Sequence, residues 1–244
     1  MSAGGRVLVT GGAKRVGAVI ARTLVNRGWD VVIHYGNSRT EAKELASELG
    51  CETIGADLSD PNDVQKLADT LSTKGWRGIV HSAATFTADD IDTFTYDNAL
   101  AQMRPNLLAP VLLGKNLKQH LRDDQRGFLI TIGDQKVFNP NPDYLSYTLT
   151  KIALTHATDT LAMALAPKVR VCCVAAGLML PSGEQTPEQF ARVHDQTALK
   201  RGNTPEDIAN AVAYLAGAEA VTGAILQVDG GQHLIGSARD VMFT

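Results

Sequence analysis

The 244-residue chain is poor in cysteine and in aromatic residues, and it lacks any block of like charge or long apolar run. Three cysteines, with Cys172 and Cys173 adjacent in an apolar stretch, supply neither a disulfide framework nor metal-ligand spacing, so all three are read as small buried hydrophobes. Histidines 34, 81, 120, 156, 194 and 233 show no HExxH or paired-ligand pattern; they read as surface or packing positions, and no metal is expected. No apolar run approaches the roughly 20 residues that span a bilayer, and the start MSAGGRVLVTGG lacks a secretory signal's cationic head and cleavage site. The expectation is a cytoplasmic protein that does not enter the membrane. Lys and Arg number 23 against 26 Asp and Glu, a formal charge of −3, and the basic residues are scattered. That excludes the electrostatic footprint of a nucleic-acid binder and leaves small anionic ligands open. No linker or low-complexity stretch interrupts residues 5 to 233, so a single domain over 1–244 is expected.

What is present is a rhythm. Short β-branched runs lie at 6–10, 30–35, 51–56, 77–82, 127–132, 169–176 and 224–229, and helical patterns fill the gaps at 15–28, 39–49, 61–73, 96–121, 144–166 and 205–216. Asp60 before Pro61 and Thr204 before Pro205 are cap-plus-first-residue helix starts. Repeated βα order predicts a doubly wound α/β fold with seven parallel strands and helices on both faces. Residues 177–204 break the rhythm after the sixth strand, at the edge where such sheets bind ligands, and read as a substrate lid with a short helix at 187–197.

Directly after the first run comes TGGAKRVG (10–17), followed by a helix. A glycine turn in that position lets backbone N–H groups and the helix dipole meet a pyrophosphate, which makes the sheet Rossmann-type, although Arg15 stands where a middle glycine is usual. About 20 residues on, where an NAD-binding chain carries a carboxylate for the ribose, the sequence reads His34, Tyr35, Gly36, Asn37, Ser38, Arg39. With Lys14, Arg15, Ser38 and Arg39 able to converge on a 2′-phosphate, NADPH is the expected cofactor; Arg39 also reads as a first-turn residue of the next helix. Asp57 and Leu58 follow the third strand, where Asp57 reads equally as an adenine-side residue or a turn former. Tyr147 and Lys151 are four apart on a predicted helix, hence on one face, where an ammonium brings a phenol pKa down from about 10 toward neutrality.

Taken together, TGGAKRVG, Asp57-Leu58, HSAA (81–84), Asn106 in NLLAP, YTLTK (147–151), LKRGNTPEDIA (199–209) and VDGG (228–231) resemble the short-chain dehydrogenase/reductase family over nearly the whole chain. The resemblance implies Tyr147 as general acid, Lys151 on the nicotinamide ribose and Asn106 in a water-mediated proton path. It implies a cofactor set of Gly11, Lys14, Arg15, Val16, Gly17, Asn37, Ser38, Arg39, Asp57, Leu58, Ser82, Ala83, Lys151 and Gly177. A homotetramer built on the helices after strands four and five is implied as well.

Departures narrow the expectation. Thirteen residues before Tyr147, where the family commonly has a serine that donates to a substrate carbonyl, this chain has Asp134. An ionised carboxylate aimed at a developing alkoxide opposes carbonyl reduction. Either Asp134 is protonated or the substrate is no simple ketone. Arg15 in the glycine turn, Asp134, and Phe86 in HSAATF resemble the pteridine reductase branch, in which the corresponding residues and Tyr147 bind the pterin. Phe86 reads alternatively as a core aromatic, and Met179 and Leu180 as pocket-lining or packing residues. Ala176 replaces a usual proline, and Pro105 with Pro110 should kink the 96–121 helix. The expected activity is NADPH-dependent reduction of dihydropterins of the dihydromonapterin or dihydrobiopterin type, with dihydrofolate as a poorer substrate. The alternatives are a carbonyl reductase acting on a 3-oxoacyl thioester or small ketone, and a non-catalytic NADP-binding module.

Overall fold

The computed structural model describes residues 5–72, 75–180 and 186–240. Strands β1 (Arg6–Thr10), β2 (Asp30–Tyr35), β3 (Glu52–Gly55), β4 (Trp76–His81), β5 (Gly127–Asp134), β6 (Val169–Ala176) and β7 (Ile225–Val228) form one sheet in the order β3-β2-β1-β4-β5-β6-β7. Every neighbouring pair is parallel, as the alternating βα pattern predicts. Strand alternation divides the apolar side chains between two layers. Val7, Val9, Val80, Phe128, Ile130, Cys172 and Val174 face α1 (Arg15–Asn26) and α9 (Pro205–Gly217). Leu8, Ile79, Leu129 and Val171 face α3 (Pro61–Thr70), α5 (Ala109–His120) and α7 (Thr158–Leu165). The remaining helices are α2 (Arg39–Leu49), α4 (Tyr96–Met103), α6 (Leu145–His156) and α8 (Pro187–Asp195).

Both cap-plus-proline starts form. The Asp60 carboxylate accepts from the Asn62 N–H, and Thr204 and Asp207 make a reciprocal capping box. Three expectations need correction. The 96–121 helix is α4, a π-helical turn at Arg104–Leu108, and α5. Pro105 and Pro110 have no N–H to donate, and the wider turn reroutes the ladder so that the Ala109 N–H bonds the Arg104 carbonyl. The 144–166 helix divides at Ala157, whose ψ of −8° leaves the helical range. Cys172 and Cys173 are buried as expected, but Cys51 is only partly so, since it leads into edge strand β3.

Strand order reverses between β1 and β4, because the chain runs outward to β3 and then returns across β1. The carboxyl ends of those two strands therefore splay apart and leave a crevice. The segment after β6 reaches the same edge. Residues 181–185 of the expected lid lie outside the described residues, as do 241–244 of the tail; the lid's helix is α8.

Candidate active site

The crevice holds a cleft of 650 Å³ lined by Gly11, Lys14, Arg15, Val16, Gly17, Asn37, Asp57, Leu58, Ser82 and Ala83. Its floor tolerates no side chain. A Cβ on Gly17 would lie 2.1 Å from the Gly11 carbonyl oxygen, and one on Gly11, at φ +62°, would lie 2.8 Å from the Ala83 α-carbon. α1 begins on Arg15, itself at φ +53°, and Lys14 caps it without a side-chain hydrogen bond. First-turn N–H groups thus border the cleft, the arrangement that receives a phosphate. No carboxylate follows β2 before Glu41, which lies 3.7 Å from the Lys14 ammonium. The cradle and this charge pattern fit NADPH. Ser38 and Arg39 do not line the cleft, for Ser38 precedes α2 and Arg39 is exposed in its first turn. Asp57 both lines the cleft and forms a turn, its carboxylate accepting from the Ser59 N–H at 2.8 Å and the Ser59 hydroxyl at 2.7 Å.

Two buried histidines fasten this edge. His34 Nδ1 accepts from the Gly11 N–H at 3.2 Å, so Nε2 carries the proton and donates to the Ala56 carbonyl at 3.1 Å. One neutral ring thereby ties the ends of β1, β2 and β3. His81 Nδ1 lies 3.0 Å from the Thr10 hydroxyl, which accepts from the Ala83 N–H at 3.2 Å. Burial pushes His34 down to about 4 and His81 to about 3, the latter also repelled by the Lys151 charge. Unfolded histidines take up protons near pH 6.5, whereas these folded ones resist, so stability falls as pH drops from about 6.5 toward 4. His34 alone is expected to cost on the order of 3 kcal/mol by pH 4. Urea unfolding across this range should show the slope in the wild type and a flatter one in His34→Gln; identical slopes would exclude His34 as its source.

A second cavity of 430 Å³ adjoins the cleft, and Arg15, Val16 and Ala84 line both. Around it stand Phe86, Asp134, Tyr147, Gly177, Met179 and Leu180. Arg15, Phe86, Asp134 and Tyr147 thus meet in one cavity. Gly177 lines this cavity rather than the cleft. Met179 both lines it and packs against the core.

The Tyr147 hydroxyl donates to Asp134 Oδ2 at 2.9 Å, while Asp134 Oδ1 accepts from the Lys136 N–H at 2.9 Å. Lys151, one helical turn along α6, donates to the Ile132 carbonyl at 2.7 Å with its ammonium 5.5 Å from the Tyr147 ring centroid. The expected lowering of the phenol pKa is not found. Burial first, then the Asp134 carboxylate, raise Tyr147 well above its ordinary value, and burial lowers Lys151 against the pull of Asp134. A carboxylate in direct contact outweighs a more distant ammonium.

Asn106, fully buried in the π turn, donates to the Thr85 carbonyl at 2.9 Å and the Thr150 hydroxyl at 3.0 Å, and accepts from the Thr85 N–H at 2.8 Å. It clamps the loop after β4 to the helix that carries Tyr147. Farther along this loop, Asp89 accepts from the N–H of Ser146 at 3.0 Å and from its hydroxyl, capping α6 from outside. Between the two clamps Phe86 stacks on Tyr144, centroids 4.3 Å apart, and meets Tyr147 edge-on at 4.7 Å. It is 47% exposed and lines the cavity, so it is not a core aromatic. Sequence reasoning missed Tyr144, Asp89, Gln135, Lys136 and Asp240. Only tertiary contacts bring them in; Tyr144 sits at φ +53°, in the left-handed region uncommon for residues other than glycine. Among the described residues there is no group of three or more His, Cys, Asp or Glu able to hold a metal, and no helix long and apolar enough to cross a membrane.

A family model described as "Enoyl-(Acyl carrier protein) reductase" (adh_short_C2) matches residues 11–233. A dihydromonapterin reductase of Escherichia coli (strain SMS-3-5 / SECEC) is 29% identical over 232 residues, covering 93% of this chain and 96% of its own. One from Enterobacter sp. (strain 638) is 28% identical with the same coverage. Among solved structures, FolM alternative dihydrofolate reductase 1 from Brucella canis, complexed with NADP, is 35% identical with a TM-score of 0.92 and covers 98% of both chains.

Proposed function

The chain belongs to the short-chain dehydrogenase/reductase family, and we propose that it reduces dihydropterins to tetrahydropterins with NADPH. The observation that carries this reading is the Tyr147 hydroxyl donating to Asp134 where a carbonyl reductase would offer a second donor. A carboxylate there repels a developing alkoxide but suits a nitrogen heterocycle, whose N–H groups it accepts. The named relatives and the NADP-bound neighbour support the same assignment.

NADPH, when bound, supplies the hydride. Lys14, Arg15, Val16 and Gly17 would hold its phosphates, with Arg15 reaching into the second cavity as well. Phe86 presents its free face to the flat pterin while Tyr144 supports the other. Tyr147, its pKa raised, stays a phenol at neutral pH and donates its proton to the pterin N5 as C6 is reduced. Asp134 aims that hydroxyl and accepts substrate N–H groups. Lys151 is the nearby positive charge that offsets the phenolate left behind. Asn106 acts through Thr85 and Thr150, holding the loop and α6 in register.

In this reading the chain is one domain, and the segment after β6, of which Gly177, Leu178, Met179 and Leu180 line the cavity, covers the substrate. The protein is cytoplasmic and binds no nucleic acid. It assembles as a homotetramer through the helices after β4 and β5, whose exposed Leu108, Leu149 and Met163 support such a contact. The test is NADPH oxidation by purified protein offered dihydromonapterin, dihydrobiopterin, dihydrofolate and a 3-oxoacyl thioester. Turnover confined to the pterin compounds is expected. Turnover of the thioester alone would overturn the assignment in favour of a carbonyl reductase.

A further inference from the structure

The end of the substrate cavity away from the cleft is built by residues that neither the family motif nor the catalytic pair accounts for. The C-terminal segment folds back over it. Arg239 donates to the Asp143 carboxylate at 2.9 Å, the Asp240 N–H donates to the same group at 2.7 Å, and the Asp240 carboxylate accepts from the Lys136 ammonium at 2.8 Å. Lys136, 5% exposed, spends a further hydrogen bond of 2.6 Å on the Asp143 carbonyl. Asp240 lines the cavity beside Lys136, Gln135 and Gln232. Gln135 Oε1 is buried there without a hydrogen-bond partner among the described residues.

We infer that Asp240 and Gln135 form a subsite that reads the C6 substituent of the substrate, selecting an uncharged hydroxyl-bearing group over an anionic one. The inference rests on the dihydropterin reading. In a pterin, N5 and C6 are bonded neighbours, so a substrate whose N5 faces Tyr147 begins its C6 substituent at Tyr147. Asp240 lies within electrostatic reach of that same residue. Arg15, by contrast, stands at the border with the cleft, which Asp240 and Gln135 do not line. The substituent therefore meets a wall whose unsatisfied or anionic groups are acceptors, which hydroxyl donors satisfy. A substituent ending in carboxylates, such as the glutamyl tail of a folate, finds no uncommitted cation among the described residues that line the cavity. Lys136 is committed to Asp240 and the Asp143 carbonyl, and Arg15, which lines the cleft as well, would be engaged by the cofactor phosphates.

Asp240→Asn and Lys136→Gln test this in opposite senses. The asparagine keeps an oxygen for Lys136 and the backbone bond to Asp143, so the segment stays attached, yet the Lys136 charge is no longer balanced. The ratio of kcat/KM for dihydromonapterin to that for dihydrofolate is expected to fall about five- to tenfold, as for one unit charge several ångströms away. Dihydrofolate improves while the hydroxyalkyl substrate loses a few-fold in KM, and added salt shrinks the shift. Lys136→Gln removes the positive charge 2.8 Å from the Asp240 carboxylate and should raise the ratio. If both variants depress both substrates in equal proportion, Asp240 only anchors the segment and the inference fails. A wild-type enzyme that turns over neither pterin overturns the underlying reading before any variant is made.

Discussion

Replacing Tyr147 by Phe is expected to lower kcat for dihydropterin reduction by about 10³-fold, within the usual range for loss of a positioned general acid. NADPH affinity should stay within about twofold, a small change by the arithmetic of binding. Tyr147 lines the substrate cavity and not the cofactor cleft, and phenylalanine preserves the edge contact with Phe86 at 4.7 Å, so little besides the hydroxyl is lost. Steady-state turnover and a fluorescence titration of NADPH measure the two quantities separately. Equal loss of both would make Tyr147 a structural residue. Undiminished turnover would remove it from the reaction and with it the mechanism proposed above. The raised phenol pKa adds a pH signature: turnover limited by this acid should not decline on the alkaline side until well past the ordinary tyrosine value of about 10.

Asp134→Ser should cost about 10²-fold in dihydropterin turnover, the lower end of what a proton-handling group contributes. The serine restores the donor that carbonyl reduction needs and removes the acceptor that holds the Tyr147 hydroxyl at 2.9 Å. Two consequences are opposed in sign. The phenol loses the carboxylate that raises its pKa, and a developing alkoxide would gain a hydrogen bond instead of a repulsion. Any 3-oxoacyl thioester activity should therefore rise as pterin activity falls, which the same NADPH oxidation assay reads side by side. Unchanged or improved pterin turnover would show that Asp134 takes no part in aiming the proton.

The two variants separate contributions that the geometry intertwines. In the proposed mechanism Tyr147 carries the proton, and Asp134 determines which substrate chemistry that proton can serve. A serine in this position gives two donors facing one oxygen; the aspartate gives a donor and an acceptor, the pattern that a ring with both N–H and unprotonated nitrogen presents.

Local sequence determined a good deal of this. Short β-branched apolar runs separated by amphipathic stretches are enough for seven parallel strands and helices on both faces, because each strand must bury both of its sides. Asp60-Pro61 and Thr204-Pro205 announced their helices because a cap and its first turn are contiguous in the chain. The glycine turn, the Tyr147–Lys151 spacing and the thirteen-residue offset to Asp134 were legible for the same reason: each is a short-range relation along one or two adjoining elements. Tertiary structure decided what depends on segments far apart in sequence. His34 and His81 looked like scattered packing residues until β1, β2, β3 and β4 lay side by side and gave each ring its partners. The direction of the Tyr147 pKa shift followed from burial and a carboxylate in contact, neither of which helical spacing reveals. Asp240, 104 residues from Lys136 along the chain, entered the substrate cavity only because the C-terminal segment folds back over it, and long-range ion pairs leave no periodic trace in a sequence.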